Sequence, residues 1–216
     1  MQLNNRPLLI GITGNIGSGK SSFCNYLAAN GLRIISADVL ANQHLEDKDI
    51  QSALVTRYSP DILTTSVRDK NVLTINRKLL ADKVFISETE TNYLNSLIHP
   101  LVLQDFQQIA EQSQEKVLCF EVPLLFEANL QDCFDYLILI SASKEKRLDR
   151  LEKKGEEKSK AEKRIMHQIP DINKRNLVDL VIENNNDIDA LHKAADNFAN
   201  HISEIKLKEV RPFILV

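Results

Sequence analysis

Residues 14–21 read Gly14-Asn15-Ile16-Gly17-Ser18-Gly19-Lys20-Ser21, which fits the phosphate-binding pattern G-x-x-x-x-G-K-[ST] at every fixed position. An apolar run at 8–10 precedes this segment and apolar residues at helical spacing follow it, so the context is strand, glycine turn and helix. The glycines allow successive backbone N–H groups to face one anion at the positive end of the helix. Lys20 can then reach the β- and γ-phosphates of a nucleotide, and the Ser21 hydroxyl can bind Mg²⁺. We call residues 14–21 the phosphate cradle; a glycine turn that binds nothing is the disfavoured alternative.

The composition is that of an ordinary globular protein. The 216 residues suit one α/β domain, or a domain with a small insertion, and are enough for a sizeable core. Hydrophobic residues make up 43% and charged residues 26% of the chain. The formal net charge of −3 gives no general attraction to nucleic acids or anionic membranes, so we expect neither as a partner.

The cysteines point to a reducing compartment. Cys24, Cys119 and Cys133 are odd in number and form no C-x-x-C pair, so we expect buried free thiols and no cysteine metal site. No segment has the pattern of a secretion signal or the length of an apolar membrane span. We therefore expect a cytoplasmic protein.

Asp38 follows the second predicted strand, 32–35, which begins after a helix cap at Asn30-Gly31. In an open parallel sheet, ligands bind beyond the carboxyl ends of the strands. Asp38 is therefore expected to face the same crevice as the phosphate cradle. Capping of a helix predicted over 39–45 is the alternative, and one aspartate could do both.

The region 47–115 is predicted to be predominantly helical, because its apolar residues recur at spacings of three and four and no strand signal is of comparable strength. It is long enough to form a helical subdomain beside the crevice. The pair His99-Pro100 is expected to interrupt it, since the residue before a proline disfavours helical conformation. A lone histidine at this place is more typical of a helix end than of a ligand contact.

Glu121 follows the third predicted strand, 117–120, which is nearly all apolar. It is a second acid at a strand's carboxyl end, and an acid there, near a phosphate cradle, commonly holds Mg²⁺ through water. A helix cap or a salt-bridge partner is the alternative. Further strands are predicted at 136–140 and 177–182, and a final helix at 187–205.

Residues 141–168 contain ten Lys or Arg against six Asp or Glu, and Gly155 breaks this segment in its middle. The pattern predicts two mobile helices that form a lid. When such a lid closes, its cations can contact a transferring phosphoryl group. Most of them belong to solvated helix surface, and we expect two or three to touch phosphate. The candidates are Lys144, Lys146, Arg147, Arg150, Lys153, Lys154 and Arg164.

Several motifs follow one another in order through roughly 180 residues. They are the cradle preceded by Ile12-Thr13, then Ala37-Asp38, Ile98-His99-Pro100, Val122-Pro123-Leu124-Leu125-Phe126-Glu127, Arg164-Ile165 with Gln168, and Asp179 with Ile182 and Asn184. Together they resemble the dephospho-coenzyme A kinase family. The cradle is shared with many NTPases, whereas the Pro-Leu-Leu-Phe-Glu segment and the His-Pro pair are far more specific.

The resemblance implies a three-layer α/β P-loop fold with a five-stranded parallel sheet, a helical substrate-side subdomain and a helical lid in one domain. The core is expected at about 7–46, 116–141 and 176–207, the substrate region at about 47–115 and the lid at about 142–170. The implied reaction transfers the γ-phosphate of ATP to the ribose 3′-hydroxyl of dephospho-coenzyme A, with Mg²⁺ as cofactor. It is the last step of coenzyme A biosynthesis.

The resemblance also implies roles for individual residues. Asp38 would act as the base toward the 3′-hydroxyl, and Lys20 as the catalytic cation. The nucleotide would be bound by Gly14, Asn15, Ile16, Gly17, Ser18, Gly19, Lys20, Ser21, Ser22, Arg147, Arg150 and Asn184. Dephospho-coenzyme A would be bound by Asp38, His99, Glu121, Pro123, Leu124 and Arg164. Mg²⁺ would be bound by Ser21 and by Glu121, the latter directly or through water.

Four residues depart from the usual family pattern: Asn15, Ser36, Asn42 and Glu121 stand in place of Gly, Asp, Arg and Asp. Asn15 is expected to keep the turn because asparagine tolerates left-handed backbone better than most residues. Ser36 leaves Asp38 as the only carboxylate of the usual pair, and Asn42 removes a cation. These changes bear on substrate affinity rather than on the type of reaction.

Other readings stay open at this point. A kinase of another small hydroxyl compound or of a nucleoside monophosphate is the nearest alternative, because the same parts would serve it. A GTP switch is disfavoured, because Asn173-Lys174-Arg175-Asn176 lacks the acid of a guanine-reading N-K-x-D motif. A non-catalytic nucleotide-binding or scaffold protein is least favoured. In the lid, either Arg147 or Arg150 could correspond to the one arginine that the family has in this segment. A monomer and a small homo-oligomer are both compatible with the sequence, and the tail 208–216 has no assigned role.

Overall fold

The computed structural model describes residues 6–65, 73–166 and 168–214. Its strands are β1 Leu8–Thr13, β2 Arg33–Ser36, β3 Leu63–Thr65, β4 Leu73–Ile75, β5 Val117–Glu121, β6 Tyr136–Ser141 and β7 Leu180–Glu183. Its helices are α1 Lys20–Ala29, α2 Ala37–His44, α3 Lys48–Tyr58, α4 Arg77–Val84, α5 Glu88–Gln112, α6 Lys144–Lys153, α7 Lys158–Met166, α8 Asp171–Lys174 and α9 Ile188–His201.

Five strands form a parallel sheet in the order β2-β5-β1-β6-β7. Glu121, the last residue of β5, is in register with Ile12 on β1 and with Ser36 on β2. The carboxyl ends of these three neighbouring strands are therefore level, and the phosphate cradle begins directly after β1. The predicted α/β fold with a five-stranded parallel sheet is confirmed.

One apolar cluster holds α1 and α9 to the sheet. Phe23, Cys24 and Leu27 lie on one face of α1 because they occupy positions i, i+1 and i+4, and each is at most 1% exposed. The cluster also contains Leu8, Ile10, Ile12, Cys119, Ile138, Ile140, Ile182, Leu191, Ala195 and Phe198. Because alternate residues of β1 point to the same face, its share of the cluster follows from the period of two. This packing anchors the helix that follows the cradle.

The three cysteines are buried free thiols, as predicted. Burial raises the pKa of Cys119 to about 12, and it also raises the pKa of Cys24. Both thiols therefore stay protonated at neutral pH and belong to the core.

The region 38–108 contains a strand pair that the sequence did not indicate. β3 and β4 are antiparallel, with Leu63 opposite Ile75 and Thr65 opposite Leu73. Each strand has only three residues, too few for an alternating pattern to stand out beside the helical periodicity around it. The described residues of the region are otherwise predominantly helical, as predicted. Residues 66–72 lie outside the described part of the chain.

The helix α5 continues through Pro100, so the predicted interruption at His99-Pro100 is wrong. A proline inside a helix removes the hydrogen bond to the carbonyl four residues earlier, here that of Ser96. Ser96 and Pro100 are both exposed, so water can bind this carbonyl. Ile98 and Val102 lie toward the other side of the helix at 5% and 6% exposure, and their burial favours the continuous helix.

The charged segment forms the two helices that were predicted, α6 and α7. Gly155 separates them with a φ of +84°.

The last strand begins later than predicted, at Leu180, because residues 175–177 form a short 3₁₀ turn. His167, which falls inside the predicted lid, lies outside the described residues.

The chain divides into two compact units. One contains the described residues up to Ala37 and from Ile109 onward; the other is Asp38–Gln108. Asp38 and His99 therefore belong to the second unit, and the phosphate cradle, Glu121 and both charged helices to the first. No helix within the described ranges is long and apolar enough to cross a membrane.

The C-terminal segment is part of the first unit's core. Phe213 is only 4% exposed. The centroid of its ring lies 5.4 Å from those of both Phe120 and Phe134. Phe213 therefore gives the tail 208–216 a packing role, and residues 215–216 lie outside the described residues.

Candidate functional site

The phosphate cradle joins β1 to α1 with two glycines in left-handed conformation. Gly17 and Gly19 have φ of +78° and +96°, which side-chain-bearing residues rarely adopt. A Cβ atom at Gly17 would lie 2.8 Å from the Arg147 carbonyl oxygen, and one at Gly19 would lie 2.1 Å from Asn184 Nδ2. Both glycines therefore allow the turn and the close approach of its neighbours.

Lys20, Ser21 and Glu121 converge at the start of α1. The Lys20 ammonium donates to Glu121 Oε1 at 2.5 Å, and the Ser21 hydroxyl donates to the same oxygen at 2.7 Å. Lys20 is 7% and Glu121 9% exposed. One carboxylate oxygen thus joins the two cradle residues to which the motif assigns phosphate and Mg²⁺.

Glu121 is ionised in this setting. Burial by itself raises the pKa of Glu121, but the charge of Lys20 opposes it and the pKa falls below its usual value. Hydrogen bonds from Lys20, Ser21 and Ser36 act in the same direction as that charge. A carboxylate at position 36 would instead disfavour the ionised form of Glu121. Ser36, one of the departures from the family pattern, therefore helps to keep Glu121 ionised.

Two arginines of α6 bind carbonyl groups of the cradle. Arg147 Nε donates to the Ile16 carbonyl at 2.8 Å. Arg150 Nη1 donates to the carbonyls of Gly17 and Ser18 at 3.3 and 3.2 Å. The sequence left open which arginine serves the cradle, and the structure brings both to it.

These contacts orient the backbone N–H groups of the cradle. Asn184 Nδ2 also donates to the Ser18 carbonyl, at 2.7 Å. In a trans peptide unit the carbonyl of one residue and the N–H of the next point in opposite directions. The N–H groups of Gly17 and Gly19 therefore point away from the side chains that hold the carbonyls, whereas the Ser18 N–H closes a turn to the Asn15 carbonyl at 3.0 Å. Oriented N–H groups at a helix N-terminus form a site for an anion.

The guanidinium of Arg147 has a hydrogen-bond donor that the cradle does not use. It is 6% exposed, and its Nη2 has no hydrogen-bond partner among the described residues. Burial lowers the pKa of its guanidinium, with Asp171 acting in the opposite direction. A buried donor of this kind is unfavourable unless something accepts from it.

Asn15 is held in the cradle turn by hydrogen bonds of its side chain and not, as predicted, by a left-handed backbone conformation. Among the described residues, the non-glycine residues with positive φ are Ser59 and Asn129, so the expectation of a left-handed Asn15 is wrong. Its side chain instead donates to the Ile169 carbonyl at 3.0 Å and accepts from the Lys174 ammonium at 2.9 Å. Side-chain bonds, rather than backbone tolerance, stabilise asparagine here.

Lys174, Glu127 and Gln168 had no site role predicted from the sequence. Lys174 is fully buried and donates to Glu127 Oε1 at 3.2 Å. The Gln168 side-chain oxygen accepts the Ile16 N–H at 2.8 Å. Glu127 and Gln168 were marked only by the family resemblance. No sequence signal distinguishes Lys174, because it stands in a polar segment typical of exposed surface.

Asp38 and His99 lie in the second unit. Asp38 is the second residue of α2, which begins directly after β2, so it stands in the first helical turn rather than at the capping position. Burial lowers the pKa of His99, which favours its neutral form at pH 7. Their roles toward a ligand stay predictions.

The other predicted substrate residues lie in the first unit. The Pro123 carbonyl accepts the Thr13 hydroxyl at 3.3 Å, next to the end of β1. Leu124 is 39% exposed. The Arg164 side chain, on α7, is 62% exposed and pairs with Glu156 at 3.0 Å. Ser22 is an exposed residue in the first turn of α1.

The comparisons with known proteins agree with this geometry. The family model described as CoaE, dephospho-CoA kinase, matches residues 8–190. The chain is 34% identical over 196 residues to a dephospho-CoA kinase of Fusobacterium nucleatum, covering 90% of this chain and 98% of that protein. It is also 34% identical over 200 residues to a dephospho-CoA kinase of Corynebacterium efficiens, covering 90% and 97% of the two chains. Among solved structures, the dephospho-CoA kinase from Campylobacter jejuni is similar with a TM-score of 0.60 and 25% identity over 92% of this chain and 97% of that one. The chain therefore belongs to the dephospho-CoA kinase family.

Proposed function

We propose that this protein transfers the γ-phosphate of ATP to the ribose 3′-hydroxyl of dephospho-coenzyme A, giving coenzyme A and ADP. The observation that carries the proposal is the convergence of Lys20, Ser21 and Glu121 beside the oriented N–H groups of the cradle. Phosphoryl transfer asks an enzyme for positioning and charge rather than for covalent chemistry. This cluster supplies both.

The ATP phosphates bind in the cradle. The N–H groups of Gly17 and Gly19 and the Lys20 ammonium meet their oxygens, and Asn184 and Ser22 complete the nucleotide site. Among the residues that the structure describes, Lys20 pairs with one carboxylate, that of Glu121. A triphosphate carries more negative charge than one carboxylate, so ATP can compete for this ammonium.

Mg²⁺ fits the oxygen donors present here. The Ser21 hydroxyl and a Glu121 carboxylate oxygen lie 2.7 Å apart, and both are the hard oxygen ligands that Mg²⁺ prefers. Ser21 would hold the ion directly, and Glu121 directly or through water. Bound Mg²⁺ would neutralise phosphate charge during transfer.

Asp38 acts on the acceptor. Its carboxylate takes the proton of the 3′-hydroxyl while that oxygen bonds to the γ-phosphorus and ADP leaves. Its place directly after β2 and its correspondence to the family's acid support this role. Dephospho-coenzyme A is held by Asp38, His99, Glu121, Pro123, Leu124 and Arg164.

Residues 142–170 form a lid with two unlike halves. In α6, Arg147 and Arg150 hold cradle carbonyls, and Arg147 Nη2, which has no partner in the described part of the chain, is available to a phosphate oxygen. In α7, Arg164 is largely exposed and reaches the substrate only when the lid closes.

The experiment that tests this function is an ATP-to-ADP assay with Mg²⁺ and several acceptors. Dephospho-coenzyme A is compared with adenosine, AMP and shikimate, and coenzyme A, whose 3′-hydroxyl is already phosphorylated, is the matched control. We expect turnover with dephospho-coenzyme A only, with coenzyme A identified as the product. Faster turnover of another acceptor would assign the enzyme to a different substrate.

A further inference from the structure

Lys174 is a buried cation close to the phosphate cradle. Its side chain is 0% exposed, and it is the last residue of the short helix α8. Lysine is almost never fully buried unless it is paired, because removing its charge from water is strongly unfavourable. The partners of Lys174 therefore indicate why it is buried.

Lys174 belongs to a closed ring of hydrogen bonds with Asn15, Ile169 and Glu127. The Lys174 ammonium donates to Asn15 Oδ1 at 2.9 Å and to Glu127 Oε1 at 3.2 Å. The same Glu127 oxygen accepts the Ile169 N–H at 3.2 Å, and the Ile169 carbonyl accepts Asn15 Nδ2 at 3.0 Å. Each member bonds to two others, so displacement of one disturbs both of its neighbours.

Asn15 is the member of the ring that lies in the cradle. Its carbonyl accepts the Ser18 N–H at 3.0 Å, which closes the first turn of the cradle. On the same peptide unit, the Ile16 N–H donates to the Gln168 side chain at 2.8 Å. The ring therefore holds the side chain of Asn15, and the bonds to Ser18 and Gln168 hold the peptide unit that follows it.

We propose that Lys174 is a positioning residue for ATP binding, which acts through Asn15 to hold the first turn of the cradle in its phosphate-binding form. Preformed donors bind a ligand more tightly, because less ordering accompanies binding. The inference rests on the proposed binding of ATP in the cradle. Lys174 works through Asn15 rather than by contact with the nucleotide.

A purely structural role is the competing explanation. The Lys174 ammonium lies 6.0 Å from the centroid of the Phe126 ring and pairs with Glu127, so it could serve only to attach α8 to that segment. A structural role predicts a lower melting temperature with unchanged ATP affinity. The positioning role predicts a loss of ATP affinity that depends on the presence of Asn15.

The experiment measures the Kd of ATP with Mg²⁺ by isothermal titration calorimetry without any acceptor. Wild type is compared with Lys174→Met, with Asn15→Gly, and with the variant that carries both changes. We expect each single variant to raise the Kd about tenfold, as for loss of a hydrogen bond to a charged group. The double variant should bind ATP no more weakly than Asn15→Gly. With the acceptor added, KM for ATP should rise in Lys174→Met while kcat at saturating ATP stays near wild type.

Two further variants keep the test decisive. Arg175→Met removes the neighbouring cation, which is 36% exposed and pairs with Glu183, and should leave the Kd of ATP unchanged. Lys174→Met leaves Glu127 without its cation, so the variant Lys174→Met with Glu127→Gln removes both charges together. It should show the same rise in Kd and serves if the single variant does not fold.

A wild-type Kd in Lys174→Met, or in its combination with Glu127→Gln, would overturn the proposal. Losses of affinity that simply add in the Asn15→Gly combination would also overturn it, because Lys174 would then not act through Asn15. A wild-type protein that binds ATP but does not phosphorylate dephospho-coenzyme A would contradict the proposed function alone.

Discussion

The two compact units differ in how they hold polar and charged side chains. All the buried polar and charged residues among those described lie in the first unit: Thr13, Asn15, Ser18, Lys20, Glu121, Asp135, Ser141, Arg147, Lys174 and Asn184. In the second unit, the ion pairs are partly exposed. The side chains of Arg57 and Glu90 are 40% and 19% exposed, and those of His44 and Asp105 are 17% and 29% exposed.

The difference shows that the first unit contains the polar and charged groups whose burial is energetically unfavourable without well-placed partners. A buried charge is unfavourable unless its partners are well placed, and its interactions are strong because water is excluded. Most of the first unit's buried polar groups lie in the cradle or contact it. Partly exposed pairs each contribute little and mainly join helices. Substitutions should therefore affect catalysis in the first unit and stability in the second, with the proposed substrate residues Asp38 and His99 as the exception.

The largest expected effect belongs to the cradle. Lys20→Ala should lower kcat about 10³-fold, because a cation aimed at the transferring phosphate is lost from a buried site. Lys48→Ala, an exposed lysine of the second unit, is the matched control and should keep wild-type turnover. Steady-state kinetics with circular dichroism to verify folding measure both. Near wild-type turnover in folded Lys20→Ala would remove the cradle from the mechanism.

Asp38→Asn tests the exception. We expect kcat to fall by about 10²-fold, because a positioned base contributes 10²–10⁴-fold and a loose phosphoryl transition state needs little early deprotonation. ATP affinity should barely change. Asp38 stands inside the first turn of α2, so a purely structural role, in which its charge favours the helix N-terminus, predicts wild-type kcat with a slightly lower melting temperature instead. Measuring kcat, ATP affinity and melting temperature on this variant separates the two roles.

Arg150→Met sharpens the contrast between cations that contact the cradle and exposed cations within one helix. Arg150 makes three hydrogen bonds to the carbonyls of Gly17, Ser18 and Asn184, so its loss should raise the Kd of ATP about tenfold. Lys153→Met removes a lysine of the same helix that is 74% exposed and should leave the Kd unchanged. Equal effects in the two variants, measured by calorimetry, would mean that net charge rather than contact with the cradle matters.

The smallest expected effect concerns the second unit. Both ring nitrogens of His44 bond to carboxylates, Asp47 and Asp105, each at 2.7 Å, and only the charged imidazolium donates from both. Burial by itself lowers the pKa of His44, but the hydrogen bonds to Asp47 and Asp105 outweigh it, and the pKa is raised. The stabilisation is therefore fully present below the ordinary histidine pKa of about 6.5 and is lost as pH rises through the higher folded-state pKa.

His44→Gln should accordingly lower the melting temperature by about 1–3 °C at pH 6 and by less at pH 9. His201→Gln is the control, because that ring bonds to the backbone carbonyl of Asn197 rather than to a carboxylate. This variant measures the effect of replacing a histidine that pairs with no carboxylate among the described residues. The same deficit for His44→Gln at both pH values would show that the carboxylates do not hold a charged histidine.

Parts of the molecule could be predicted because their information is local. The eight cradle residues are consecutive, the strand before them is apolar, and the helix after them carries its apolar residues at positions i, i+1 and i+4. Gly155 likewise separates the two charged helices by its own backbone preference. Predictions from local sequence were wrong where a competing effect was stronger or where the element was short. Burial of Ile98 and Val102 outweighed the preference of Pro100, and three-residue strands gave no readable period.

From its order of residues alone, this chain is predicted to have a phosphate-binding turn between a strand and a helix, because all the groups involved are neighbours along the backbone. The side chains that form hydrogen bonds to this turn come from distant parts of the chain and reach it only in the folded structure. Arg147 lies 131 residues from Ile16 along the chain, and Lys174 lies 159 residues from Asn15. The family motifs could mark some of these residues, but no local pattern indicates that Lys174 is buried or that Asn15 accepts from it. Burial and hydrogen-bond partners depend on which distant segments pack together, and that packing is a property of the whole fold.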